Sequence, residues 1–420
     1  MVKLVTLKNG VRVVMERMDA VRSVSIGVWI NTGSIRERGM ELGASHFIEH
    51  MIFKGTERRT AAEIAAETDS IGGTLNAFTS KECTCVYARV LDEHLPIAAD
   101  ILSDLVLHSK FAPEELEKEK SVIIEEILMN EDSPEDVTAE TANELFFGDD
   151  PLSQPILGTK KTVSAFTRES LLTYMAKHYV PKNIVVACAG HFDEDELLSL
   201  VEKEFDMPES PSHNDPLEQS FPGGSRLKCV KKDIEQVHIT LMAPGCARDT
   251  KLQYPLAVLS NVIGGSMSSR LFQSIRERRG LAYSVYSYPI YYSGTGSFAL
   301  YAGTGEKQSE EVFELMLKEL ADIRAKGVTE EEFTRCKEQL KGSYLLGMES
   351  SGAVMNAIGK VALLQNREYD EARTLESIAC VTMEDIASAI DFALDPKNFV
   401  AALVGRSLPH EKKYRGMMNL

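Results

Sequence analysis

Long apolar runs are missing from this chain. No stretch approaches the roughly 20 residues that a membrane-spanning helix needs, so no membrane partner is expected. Met1–Gly10 read directly as a strand and a turn, so no signal peptide is expected. Positive charge is also scarce. The 46 Lys and Arg residues face 63 Asp and Glu, and the net charge of −17 argues against nucleic acid or an anionic membrane surface as the main partner. It suits a basic peptide, although acidity is common in soluble proteins. Cysteine is sparse, scattered and odd in number, seven in all, which suits reduced thiols and a cytoplasmic location. Cys83 and Cys85 are one residue apart and would share a strand face as packed thiols, because no second pair stands near to complete a metal site.

What is present is ordinary globular material: 44% hydrophobic and 26% charged residues over 420 positions, enough for two or three domains. Residues 206–225 hold four prolines and little periodic apolar pattern, and read as a linker. The halves on either side resemble each other. Pro181-Lys182-Asn183 opens the apolar run that closes the first half, and Pro396-Lys397-Asn398 does the same in the second. Near the starts, Val24–Gly33 is echoed by Val237–Gly245, each a β-branched alternating run ending in glycine. The economical reading is a duplicated domain: 1–206, a linker over 207–225, and 226–420. Helical periodicity over Ala61–Ile71, Leu95–His108 and Pro113–Asn130 alternates with strand-like stretches at Thr74–Val90 and Ser284–Ala302. The expected class is α+β, with each half a mainly antiparallel sheet covered by helices.

The chemistry concentrates in His46-Phe47-Ile48-Glu49-His50. On a helix the two imidazoles lie at i and i+4 with a carboxylate between them on the same face, so they could hold one zinc ion beside a base. The order H-x-x-E-H is the inverse of the commoner metalloprotease signature. Chance would supply it in roughly one such chain in fifty. The corresponding segment of the second half, Asn261–Arg270, has no histidine, so only the first half would bind metal. A third ligand is needed, and Glu119, Val122, Ile123 and Glu126 fall at i, i+3, i+4 and i+7, which puts two carboxylates on an apolar stripe. Glu126 is the candidate ligand and Glu119 the candidate supporting group; salt-bridged edges of an amphipathic helix would be the plainer account. The remaining histidines, His94, His108, His178, His191, His213, His238 and His410, read as structural.

Gly43-Ala44-Ser45-His46-Phe47-Ile48-Glu49-His50-Met51-Ile52-Phe53-Lys54-Gly55-Thr56, with Glu126 lying 76 residues beyond His50 and Glu119 seven before it, resembles the active-site region of the pitrilysin, insulysin and mitochondrial processing peptidase family, in its bacterial processing-protease-like branch. The resemblance covers the whole chain. It implies a zinc-dependent metalloendopeptidase that cleaves peptides or unfolded segments inside a chamber. His46, His50 and Glu126 would bind one Zn²⁺ per chain, Glu49 would be the general base on zinc-bound water, and Glu119 would support the site. Gly72–Thr79 resembles the strand whose edge binds substrate backbone, with Asn76 and Ala77 as contacts. Arg276 and Tyr283 match the family's R-x6-Y pair, donors to the scissile carbonyl or adjacent backbone, and in family members of this length they reach the zinc site of a partner chain, which implies a homodimer. Arg278 and Arg279 read as solvated charges. Two other readings stay open: a non-catalytic scaffold or partner subunit of a processing-protease complex, and an active subunit that needs a different, inactive partner.

Overall fold

The computed structural model describes residues 1–406 and 411–419; His410 lies outside them. Its contacts divide the chain into two compact units. The first comprises Met1–Ile127, Gln154–Pro216 and Leu345–Asp370, and the second comprises Leu128–Ser153, Leu217–Tyr344 and the residues from Glu371 onward. These units differ from the two sequence halves on either side of 207–225, because each takes in a segment of the other half.

In the first unit, β1 (Lys3–Thr6), β2 (Arg12–Arg17), β3 (Ser23–Ile30), β4 (Thr74–Thr79), β5 (Thr84–Leu91) and β6 (Ile184–Gly190) form one sheet in the order β1-β2-β6-β3-β5-β4. All neighbours run antiparallel except β2 and β6. The alternation of strand side chains sorts the apolar residues onto two buried faces. Val13, Met15, Ile26, Val28, Val186 and Cys188 point into a core with α1 (Ala44–Ile52), α3 (Leu95–His108) and α4 (Pro113–Asp132), while α2 (Ala61–Ser70) follows α1 in the chain. On the opposite face Val14, Trp29, Cys85, Val185, Ala187 and Ala189 meet Val354, Met355, Ile358 and Ala362 of the helix Ser351–Gln365. Cys83 and Cys85 are buried in this second cluster as free thiols.

The second unit repeats the plan. Strands β7 (Arg226–Lys231), β8 (Gln236–Gly245), β9 (Ala282–Tyr291), β10 (Gly296–Gly305) and β11 (Val400–Gly405) are ordered β7-β11-β8-β10-β9, the order β2-β6-β3-β5-β4 of the first sheet advanced by one strand set, with its parallel pair again at the matching place. The sequence echoes fall on equivalent strands: 181–190 leads into β6 and 396–405 into β11, and 24–33 and 237–245 cover β3 and β8. Two α+β units of like topology are therefore confirmed. One face of this sheet carries a core with the helices Gln253–Ile263, Ser309–Lys326 and Met383–Ala393. The other packs against α5 (Pro134–Phe147), a helix from the first half of the sequence. Residues 206–225 contain no helix or strand, yet they are tied down. Asn214 donates to the carbonyl of Asn31 and accepts from the ring of His178, and Gln219 accepts from the backbone of Gly294. No described helix is long and apolar enough to cross a membrane.

Candidate metal centre

The motif helix α1 begins at a point where only glycine fits. Gly43 has φ +90°, and an added Cβ would lie 2.7 Å from the carbonyl oxygen of Leu157 and 2.9 Å from Cα of Gly158. The helix start has no side-chain cap of the usual kind; instead Glu37, 1% exposed, accepts the backbone N–H groups of Gly43 at 2.6 Å and Ser45 at 2.7 Å. Burial pushes the Glu37 carboxyl up to about 7, against the lowering effect of those two N–H donors. Phe47, Ile48, Met51 and Ile52 fasten the helix to the core.

This anchoring turns His46, Glu49 and His50 towards α4. The Oε2 atom of Glu126 lies 3.6 Å from Nε2 of His46 and 3.4 Å from Nε2 of His50, and the two rings are 4.6 Å apart. The three residues each offer a ligand atom within 4.8 Å of the others. Ligands held about 2.0–2.1 Å from a tetrahedral zinc are about 3.4 Å from each other, so the spacing to Glu126 fits that ion with little adjustment. The donor set fits as well. Burial, and then the neighbouring His50, hold the His46 imidazole down at about 3, so that it is a neutral ring with a lone pair to give. Zinc would be held by His46, His50 and Glu126. The opposite ring nitrogen of His46, Nδ1, is buried without a hydrogen-bond partner among the described residues.

His50 is oriented from behind. Its Nδ1 is 3.1 Å from Oε2 of Glu119, whose other oxygen is 2.5 Å from the ammonium of Lys54. Glu119 is 3% exposed, which justifies reading it as a core-facing carboxylate. The rest of the expected stripe needs correcting: Val122 is 49% exposed and does not share it, and the Glu126 side chain, 42% exposed, lies at its margin rather than in the core. At about 100° per residue Val122 stands about 60° from Glu119, whereas Ile123 and Glu126 stand within about 40°. Glu49 is half-buried, and its Oε2 accepts a hydrogen bond from Oγ1 of Thr79 at 2.5 Å. Burial raises its carboxyl pKa; the Thr79 hydroxyl and then His50 oppose that.

Asn76 and Ala77 lie on β4, the strand at the sheet's edge, which among the described residues pairs only with β5. Asn76 is exposed and its Oδ1 accepts the N–H of Ala77. Arg276 and Tyr283 belong to the second unit, where the Arg276 guanidinium stands 4.8 Å from the ring centres of both Phe272 and Tyr283. Tyr283, on the edge strand β9, is 77% exposed, and Arg278 and Arg279 are exposed. Of the other histidines, His178, His191 and His238 each find a side-chain partner, in Asn214, Asp92 and Tyr301. Sequence reasoning passed over Glu37, Lys54 and Thr79. Lys54 could have been found from its place one helical turn after His50; Glu37 and Thr79 are brought to the motif by tertiary structure alone.

Residues 12–160 match the family model described as insulinase (peptidase family M16), and residues 165–340 match the one described as the peptidase M16 inactive domain. The uncharacterized zinc protease YmxG of Bacillus subtilis (strain 168) is 42% identical over 407 residues, spanning 97% of this chain and 99% of that protein. An uncharacterized zinc protease of Streptomyces coelicolor is 39% identical over 394 residues, 92% of this chain and 85% of that one. Two solved structures share the fold: a peptidase M16 inactive domain from Pseudomonas fluorescens, with a TM-score of 0.90 at 19% identity over 97% of this chain and 98% of the other, and a protease from Helicobacter pylori, with 0.89 at 21% over 96% and 99%. With a full-length relative at 42% identity and both family models matched in order, the chain belongs to the insulinase family, peptidase family M16.

Proposed function

We propose that this protein is a zinc-dependent metalloendopeptidase acting on peptides or unfolded segments. The observation that carries the proposal is the convergence of His46, His50 and Glu126, from two helices, at the spacing that tetrahedral zinc requires. Zinc, when bound, supplies Lewis-acid polarisation of a carbonyl and makes water acidic enough to lose a proton near neutral pH. The chain's own residues do the rest. Glu49 takes the proton from the attacking water and returns it to the leaving amine, a role helped by the upward pull of burial on its carboxyl. Glu119 holds the Nδ1 side of His50, so that Nε2 faces Glu126. The free edge of β4 at Asn76 and Ala77 takes the peptide as an added strand, since main-chain hydrogen bonds hold varied sequences in one register.

Arg276 and Tyr283 serve as donors to the substrate carbonyl or adjacent backbone, reaching the site of a partner chain in a homodimer that encloses a chamber, with one zinc per chain. Support for this part comes from the family resemblance and from the pairing of the two side chains. The free cysteines suit a reducing compartment such as the cytoplasm.

Peptide-library cleavage by wild-type and Glu49→Gln protein, with bound metal quantified in both, tests the proposal. The variant should keep about one zinc per chain and lose roughly 10²–10⁴-fold in turnover. Wild-type turnover in the variant would dismiss Glu49 as the base, and absence of zinc from both proteins would favour a scaffold.

A further inference from the structure

Strand β4 holds two things at once. Its outer edge is open, and its side chains alternate between two faces of the sheet. Leu75 and Ala77 pack into the core shared with α1, while Phe78 turns to the other face and meets the edge of Trp29. Thr79 falls in register with Leu75 and Ala77, so its side chain is directed towards α1, and there Oγ1 donates to Oε2 of Glu49 at 2.5 Å. This is the sole hydrogen bond to the Glu49 carboxylate among the described residues. The other oxygen of Glu49 is left for proton transfer. Thr79 is itself fixed in the sheet: it stands opposite Thr84 of β5, and the Thr84 hydroxyl donates to the carbonyl of Thr32, two residues beyond β3.

We infer that Thr79 is a positioning residue for the general base, holding Glu49 at a fixed offset from the edge of β4 so that the strand that sets the register of a bound peptide also sets the place of the base. The inference rests on the peptidase reading above. A glutamate side chain has three rotatable bonds, and half-buried as it is, Glu49 would otherwise choose among rotamers of which few point at the scissile bond. A hydroxyl on the substrate-binding strand removes that choice through a single contact.

The test uses the full-length zinc-loaded protein with Thr79→Val, which keeps the shape and loses the donor, Thr79→Ser, which restores the donor, and Glu49→Gln alone and combined with Thr79→Val. Turnover of a fluorogenic peptide gives kcat and KM, atomic emission gives zinc per chain, and fluorescence anisotropy gives the affinity of a labelled peptide for the two Glu49→Gln proteins. Thr79→Val should lower kcat on the order of 10-fold or more while KM and zinc content stay at wild-type values, and Thr79→Ser should recover most of the loss. In the Glu49→Gln background Thr79→Val should remove no further turnover and leave peptide affinity within about twofold, because the two residues act as one. An equal loss in both backgrounds, a loss of zinc or peptide affinity, or a wild-type kcat in Thr79→Val would each overturn the positioning role. Full turnover by Glu49→Gln alone would instead overturn the reading of Glu49 on which it rests.

Discussion

Glu119→Gln separates a supporting carboxylate from a passive one. Both oxygens of Glu119 are committed, one to Nδ1 of His50 at 3.1 Å and one to Lys54 at 2.5 Å, in a site where the residue is 3% exposed. For Nε2 of His50 to present a lone pair towards Glu126, the ring proton must sit on Nδ1, and Glu119 is the acceptor that keeps it there. A glutamine of the same shape has one oxygen and one NH₂. With its oxygen towards His50, the NH₂ meets the Lys54 ammonium, donor against donor; flipped, the NH₂ meets Nδ1 and favours the tautomer that points its proton at the metal position. Losing an outer partner of a ligand histidine costs about 10–100-fold in metal affinity, or about 1.4–2.7 kcal/mol. A zinc ion that binds only the folded chain would lose about the same energy from its stabilisation of the fold. The assay is zinc competition against a chelator of known affinity, with thermal unfolding followed in the presence and absence of metal. The zinc Kd should rise 10–100-fold and the zinc-induced gain in Tm should shrink. A Kd within twofold of wild type would refute the assignment and leave Glu119 as a salt-bridge partner of Lys54 and nothing more.

Glu332 should show a pH-dependent contribution to stability in the second unit. Arg270 grips it with two 2.7 Å contacts and Thr329 adds its N–H, holding the carboxyl down at about 2. A depressed carboxyl stabilises the fold above the ordinary value of 4.5 and loses that contribution as pH falls towards 2. The interval corresponds to about 3 kcal/mol, reduced by solvent screening to about 1.5 kcal/mol for this partly exposed pair. Urea unfolding of Glu332→Gln should therefore show a deficit of about that size at pH 7 that closes between pH 4.5 and 2; a deficit of the same size at both ends would refute it. Met355→Ala should cost about 2–4 kcal/mol, since Met355 is fully buried with its sulfur 3.4 Å from Nε1 of Trp29. As Trp29 is the chain's single tryptophan, its emission should move to longer wavelength as water reaches the ring, and unchanged emission would show that the helix Ser351–Gln365 does not cover it.

Legibility in the sequence tracks the range of the interaction. His46, Glu49 and His50 could be read because a helix brings i and i+4 together wherever it sits. Glu126 could be read because helical periodicity sets it on one side with Glu119, but periodicity alone overreached: Val122 is 49% exposed and the Glu126 side chain 42%, so both lie at the stripe's margin. The duplication was visible because equivalent strands, β3 with β8 and β6 with β11, keep the same turn signals at their ends. Glu37, Lys54 and Thr79 carry no such local mark. A threonine ending a strand is ordinary until the fold sets it 2.5 Å from the Glu49 carboxylate. The same limit explains the exchanged helices. Apolar faces on α5 and on Ser351–Gln365 say that each covers something, but nothing in a helical period names the sheet. The structure gives α5 to the second sheet and Ser351–Gln365 to the first. A cut through 207–225 would therefore not release two finished domains: residues 1–206 alone would bare Val14, Trp29, Val185, Ala187 and Ala189, all within 2% of full burial in the intact chain. The half that holds His46, His50 and Glu126 depends for one whole face of its sheet on the other half.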